Sequence, residues 1–253
     1  MLEVREITVQ FGSYTAIDRL SFSVEEGQWL MIVGPNGAGK STVLRTITQE
    51  LVYSGHVLFD GMDVRRMKAV DRARGMGVLT QSHFMGYAFT VEEVARLGRY
   101  AYKPGFFSSH AQKEDDEKAV EEALSMTGML EKRKQSVLTL SGGELQRTFL
   151  AQVLAQGPRL LLLDEPSNHL DLLYQKQVFS LVSDWILQGG RSVVSVVHDL
   201  SLAKAFGTHA ILIHEGKAVA AGEIGEVLSP DHLNPVYGMD VRAWMRQMLG
   251  QWE

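Results

Sequence analysis

The sequence predicts an α/β fold with an antiparallel β region at its N-terminal end and a helical subdomain inserted in its middle. Three observations carry that prediction. A short, wholly apolar segment, Trp29–Val33, runs into a glycine-rich loop and then into a helical pattern. A second apolar segment, Leu160–Leu163, ends in two acids, Asp164 and Glu165. Between them, from about Thr90 to Gln156, the pattern is helical, with strand-like segments on either side.

The elements follow in order. Leu2, Val4, Ile7 and Val9 are interspersed with charged residues, and Leu20, Phe22 and Val24 alternate with Ser and Glu, so both stretches are expected as strands. Glu25-Glu26-Gly27 is a turn before the Trp29–Val33 strand, and the helix after the loop is expected over about Lys40–Glu50. Val57-Leu58-Phe59 ends at Asp60-Gly61, a hairpin signal. Met76–Thr80 is a short strand closed by Gln81. In the helical stretch, Thr90-x-x-Glu93, Ser109-x-x-Gln112 and Ser141-x-x-Glu144 all fit capping boxes. The charged run Lys113–Lys118 is expected as a solvated face. Past Pro158 come a strand over Leu160–Asp164, a helix over Leu172–Gln188 stopped by Gly189-Gly190, and a buried strand over Ser192–Val197. Ala210–His214 and Lys217–Ala221 flank Glu215-Gly216 as a hairpin. We expect one continuous domain over 1–253, with a core of about 1–85 and 157–253 and a helical subdomain of about 86–156.

Composition narrows the function. The chain has 253 residues and a net charge of −5, which disfavours a nucleic-acid binder held by a basic surface. It has no cysteine, which excludes disulfides, iron–sulfur clusters and Cys-ligated zinc. The N-terminus is charged from the start, so no signal peptide is expected, and no apolar run nears the ~20 residues of a membrane helix.

Gly34-Pro35-Asn36-Gly37-Ala38-Gly39-Lys40-Ser41-Thr42 fits the phosphate-loop pattern. Its glycines let the backbone approach phosphates with N–H groups turned inward, and the helix begun there adds its positive end. Lys40 is positioned for the β- and γ-phosphates and Ser41 for Mg²⁺. Asp164 is positioned to hold that ion, leaving Glu165 to polarise an attacking water. Leu140-Ser141-Gly142-Gly143-Glu144 starts a helix, and glycines after a cap weaken it by roughly 1 kcal/mol each relative to Ala. They make sense where a phosphate must come close to the backbone. Two such devices in one chain suggest an ATP site assembled from two copies. Alone, His198, Gln81 and Phe11 would be read as structural, surface and core residues.

In this order, the motifs resemble the ATP-binding subunit of ABC transporters from Leu2 to about Ala221. The resemblance implies a P-loop NTPase fold of the ABC cassette type, ATP and Mg²⁺ as cofactors, and ATPase activity. Gly34–Thr42 is similar to the Walker A loop, and Leu160–Asp164 to the Walker B strand. Glu165 matches the catalytic carboxylate, and Gln81 the Q-loop glutamine that touches Mg²⁺ and the water. Leu140–Glu144 is similar to the signature, with Glu144 where the family usually has Gln. Ser167–Asp171 resembles the D-loop, His198 matches the switch histidine and Phe11 the aromatic that stacks on adenine. The implied partners are a second copy of the chain, membrane permease subunits at the cytoplasmic face and a substrate-binding protein, with no direct nucleic acid. Thr90–Val94 with Leu97–Tyr100, and the tail segments Glu226–Pro230 and Tyr237–Val241, resemble the importer branch for iron–siderophore, haem and cobalamin. A single-cassette exporter ATPase and a soluble ABC ATPase acting on the ribosome or nucleic acid are the alternatives.

Overall fold

The computed structural model describes residues 1–80, 87–102, 110–168 and 170–251, with 110–112 described by backbone alone. In chain order the elements are β1 (Leu2–Phe11), β2 (Tyr14–Val24), β3 (Trp29–Val33), α1 (Lys40–Ile47), β4 (Ser54–Phe59), β5 (Met62–Asp63), α2 (Ala69–Gly75) and β6 (Met76–Leu79). Then come α3 (Val91–Leu97), α4 (His110–Met126), α5 (Gly142–Ala155), β7 (Leu160–Asp164), α6 (Leu172–Ile186) and β8 (Ser192–Val196). The remaining elements are α7 (Leu200–Phe206), β9 (His209–His214), β10 (Lys217–Glu223), α8 (Ile224–Val227), α9 (Pro230–Tyr237) and α10 (Val241–Leu249). The residues fall into two compact units, Met1–Arg65 with Val194–Glu253, and Arg66–Val193.

In the first unit, β1 pairs antiparallel with β2 and β4 in a sheet ordered β2-β1-β4-β5. The apolar set Leu2, Val4, Ile7, Val9 breaks strict alternation, and the backbone shows why. Glu6 takes φ 46° at a register shift between Val4 and Ile7, so one extra residue keeps all four side chains on the buried face. The Asp60-Gly61 turn joins β4 to β5 with both residues at positive φ, 49° and 79°, as a two-residue hairpin requires. β3 is buried throughout, pairs parallel with β9, and is tied to the β8 end by Trp29 Nε1 donating to Ser195 Oγ at 2.8 Å. Glu215-Gly216 turns β9 into β10. Helix α1 ends three residues short of the expected Glu50, because Gln49 adopts φ 67° and breaks the helical path.

In the second unit, β6 and β7 pair in parallel, Met76 opposite Leu160 and Leu79 opposite Leu163. Both expected capping boxes within the described residues are present, at Thr90/Glu93 on α3 and Ser141/Glu144 on α5. The third, Ser109-x-x-Gln112, lies outside them. Helix α2 had no sequence signal, since it buries none of its residues and so carries no apolar period. Gly98 allows a close approach: a Cβ there would lie 2.0 Å from the Gln152 carbonyl oxygen of α5.

The charged run on α4 is not simply a solvated face. Asp116 is buried against Arg99 at 2.8 Å, and Arg99 also donates to the Ala155 carbonyl at 3.0 Å and lies over the Tyr102 ring. Glu117 bridges Arg96 and Arg133 at 2.6 and 2.9 Å. Glu92 of α3 is the hub: it accepts from Arg96 at 2.8 Å, Arg133 at 3.0 Å and Lys134 at 2.7 Å. Helices α3 and α4 are thus held partly by charge-assisted hydrogen bonds.

These cations, Arg133 first, hold the Glu92 carboxyl down at about 2 from its ordinary 4.5. A carboxyl depressed on folding contributes stability above its unfolded pKa and loses it as pH falls through the folded one. Glu92→Gln should therefore lower stability by about 2 kcal/mol at neutral pH. Its urea midpoint should fall less steeply than that of the unsubstituted chain as pH drops through the interval from about 4.5 to about 2. Parallel midpoints across that interval would show that Glu92 does not carry the acid sensitivity.

Candidate functional site

The first unit carries the phosphate loop. It leaves the buried β3 at Val33 and enters α1 at Lys40. Gly34, at φ 145°, lies against β9: a Cβ would be 2.0 Å from the Ile213 carbonyl oxygen. Gly39, at φ 101°, lies against β2, where a Cβ would meet Ile17 and the Ala16 carbonyl at 2.6 and 2.7 Å. Gly37 also has positive φ, 78°, but faces open space. The two outer glycines let the backbone run between neighbours; the middle one shapes the rim.

Gly39 is also the N-cap of α1, with no capping side chain and no acid in the first turn. The positive end of α1 is therefore not compensated by a carboxylate of its own, as an anion cradle needs. Lys40 is buried, and its Nζ donates to the carbonyls of Gly34 and Pro35, both at 2.8 Å. Ser41 and Thr42 follow, half-buried, in the same turn, while Asn36 is exposed. Phe11 is 49% exposed at the β1–β2 hairpin, beside Gly12 at φ 62°, and so is not a core residue. His198 is exposed after β8, and its neighbour Asp199 caps α7.

The second unit carries the acids. The four leucines of β7 are fully buried, and Asp164 emerges half-buried at the strand end. Glu165 adopts φ 53°, a left-handed conformation uncommon outside glycine and asparagine. Its carboxylate accepts a hydrogen bond from Asn168 Nδ2, and the Asn168 amide donates to its carbonyl at 3.1 Å. Strain held on a carboxylate at a strand end is the kind kept at functional sites. Asn168 gained no individual role from the sequence; its one signal is an amide three residues after the acid, within a turn. Asp171 caps α6, accepting from the Tyr174 amide at 3.0 Å.

The Ser141–Glu144 segment begins α5. Ser141 Oγ accepts from the Glu144 amide at 3.4 Å, and Glu144 accepts from the Ser141 amide at 2.8 Å. Gly142 faces open space, whereas Gly143 is buried beneath the Tyr174 ring, where a Cβ would lie 2.8 Å away. Gly143 thus has a packing reason that the sequence did not reveal. Glu144 pairs with Lys132, which with the Ser141 amide holds its carboxyl at about 2. Gln81 and His169 lie outside the described residues. Among the described residues no three His, Asp or Glu side chains gather as a metal cluster. The Ser41 hydroxyl in the first unit and the Asp164 carboxylate in the second are each a hard oxygen ligand of the kind Mg²⁺ takes.

The ABC transporter family model matches residues 17–168. The ferric enterobactin transport ATP-binding protein FepC of Escherichia coli (strain K12) is 37% identical over 239 residues, covering 94% of this chain and 87% of that protein. This chain belongs to the ABC transporter ATP-binding family. The hemin import ATP-binding protein HmuV of Myxococcus xanthus (strain DK1622) is 40% identical over 250 residues, covering 96% of this chain and 91% of that protein. A solved ATP-binding cassette of an ABC transporter, in its ADP conformation, superposes with a TM-score of 0.81 at 23% identity, covering 94% of this chain and 98% of that one. The cassette fold and the expected P-loop class are therefore established, and the cassette is a nucleotide-binding ATPase. Among the described residues no helix is long and apolar enough to cross a membrane.

Replacing Lys40 by alanine removes the ammonium and also the two carbonyl contacts that close the loop. Lys40→Ala should abolish steady-state ATP hydrolysis while leaving the circular-dichroism spectrum and melting cooperativity intact. A folded Lys40→Ala protein with normal turnover would refute the phosphate-loop assignment.

Proposed function

We propose that this cassette drives an importer of an iron chelate or haem. The observation that carries the reading is that relatives named for ferric enterobactin transport and hemin import align with 94% and 96% of the chain. An iron(3+)-hydroxamate import ATP-binding protein of Bacillus subtilis (strain 168) aligns at 33% identity over 94% of it.

In this reading the Gly34–Gly39 backbone and Lys40 bind the β- and γ-phosphates, with Thr42 beside them, and Phe11 stacks on adenine. Ser41, Asp164 and Gln81 would hold Mg²⁺, which when bound draws charge from the phosphate oxygens. Glu165 orients and deprotonates the attacking water, and His198 contacts the γ-phosphate. Ser141–Glu144 and Asp171 serve the nucleotide held by a second copy. A related cassette has been solved as a dimer with ADP and Pi, at 25% identity and a TM-score of 0.76, covering 88% of this chain and 99% of that one.

The helical stretch of about 86–156 is proposed to meet the permease at the cytoplasmic face of the membrane, with a substrate-binding protein completing the system. Supporting this is a groove of about 590 Å³ in the second unit, lined by Val70, Leu97, Tyr100 and Gln156 among others. Val70, Leu97 and Tyr100 are all exposed, Tyr100 by 74%. Nearby, Tyr87 and Phe89 are also exposed, whereas Tyr102 is engaged internally by Arg99 and by the Gln156 carbonyl. Gly105, Phe106 and Phe107 lie outside the described residues.

Three measurements test the reading. A strain lacking this chain should lose uptake of labelled haem or ferric siderophore and regain it with the unsubstituted chain but not with Glu165→Gln; unimpaired uptake in the deletion strain would reject the cargo class. Purified Glu165→Gln should hydrolyse ATP ~10²–10⁴-fold more slowly and run as a dimer in MgATP. In membranes, single cysteines at Val70, Ala88 and Tyr100 should crosslink to an integral membrane protein, and crosslinks confined to α10 would reject this docking face.

A further inference from the structure

We propose that Lys132 is a positioning residue for the start of α5: by neutralising the Glu144 carboxylate, it keeps that helix start receptive to an anionic ligand. The proposal rests on the reading that Ser141–Glu144 meets the nucleotide of a second copy.

Glu144 is the third helical residue of α5, and its carboxylate accepts from the Ser141 amide at 2.8 Å. An acid here stabilises the helix by meeting its positive end. The same charge opposes an approaching phosphate, so stability and ligand binding conflict at this position. Steric shielding resolves the conflict only in part: the Glu144 side chain keeps some exposure, and Gly142 two residues before it faces open space. Protonation does not resolve it, since the carboxyl is held at about 2 and stays ionised at neutral pH. A cation does. Lys132, at the end of the 3₁₀ turn Leu130–Lys132, is paired with Glu144, whose side chain is only 16% exposed.

The other cations near this turn are engaged elsewhere. Arg133 serves Glu92 and Glu117, and Lys134 serves Glu92. Arg147, one turn along α5, donates to Gln177 at 2.8 Å and lies over the Tyr174 ring. At the third helical residue of α5 this chain thus carries an acid together with a cation paired to it.

The test is a double-mutant cycle on the full chain, reading kcat and the MgATP concentration for half-maximal hydrolysis. Lys132→Met should raise that concentration about tenfold with kcat changed less than about twofold. In the Glu144→Gln background, where the side-chain oxygen still accepts from Ser141 but the charge is gone, the same Lys132→Met step should cost less than about twofold. The first gap should shrink from 50 to 500 mM KCl, because salt screens a partly exposed charge. Lys132→Gln carries the same test should Lys132→Met fail to fold. An unchanged half-saturation in Lys132→Met overturns the proposal. So does an equal penalty in both backgrounds, which would mark Lys132 as a packing residue. Ser141→Arg, assayed alongside, separates the two levels. Full activity in Ser141→Arg rejects the signature reading itself; an inactive Ser141→Arg beside an unaffected Lys132→Met rejects only the role given to Lys132.

Discussion

The loop between β3 and α1 depends on how closely its backbone passes its neighbours. At Gly34 and Gly39 there is no room for a side chain, since the carbonyls of Ile213 and Ala16 occupy the space a Cβ would need. Both residues also have φ values that other residues rarely adopt. With its two ends gripped in this way, the loop presents Gly37 outward, and Lys40 bridges the carbonyls of Gly34 and Pro35. The buried β3 strand supports the arrangement from beneath. The constraint here comes from the missing side chains: a Cβ at either end would force the loop away from its neighbours.

The second unit relies on another kind of constraint. Its helices pack with the aid of charge: Glu92 gathers three cations, Glu117 bridges two arginines, and Arg99 is sealed between Asp116, the Ala155 carbonyl and Tyr102. Removing one member leaves partners desolvated and unmatched, which costs more than the intact contact contributes. Pairing by charge also fixes register on the acids' side, since Glu92 and Glu117 meet their cations from set positions on α3 and α4.

Much of this architecture was legible in the sequence. The strands expected over Trp29–Val33 and Leu160–Asp164 match β3 and β7 residue for residue, and both capping boxes within the described residues formed. The Asp60-Gly61 and Glu215-Gly216 turns fell where their composition placed them. Local signals of this kind survive because tertiary contacts agree with them. What escaped was set by distant partners or by backbone geometry. Asp116 reads as one more surface acid until Arg99, 17 residues away, is found beside it. Helix α2 has no buried face to announce it. The left-handed Glu165 and the glycine seat beneath Tyr174 are properties of the assembled chain, and no residue pattern marks them.

The short stretch that follows α4 connects these themes. Lys132, Arg133 and Lys134 are consecutive, yet they reach acids on three different helices, α5, α4 and α3. Connections of this sort usually accept an added or deleted residue, as the tip of the Asp60-Gly61 hairpin should. Here a single insertion would displace all three cations from their acids together. This segment should therefore tolerate changes of residue type that keep charge far better than changes of length, and its length is as much a part of the design as any side chain it carries.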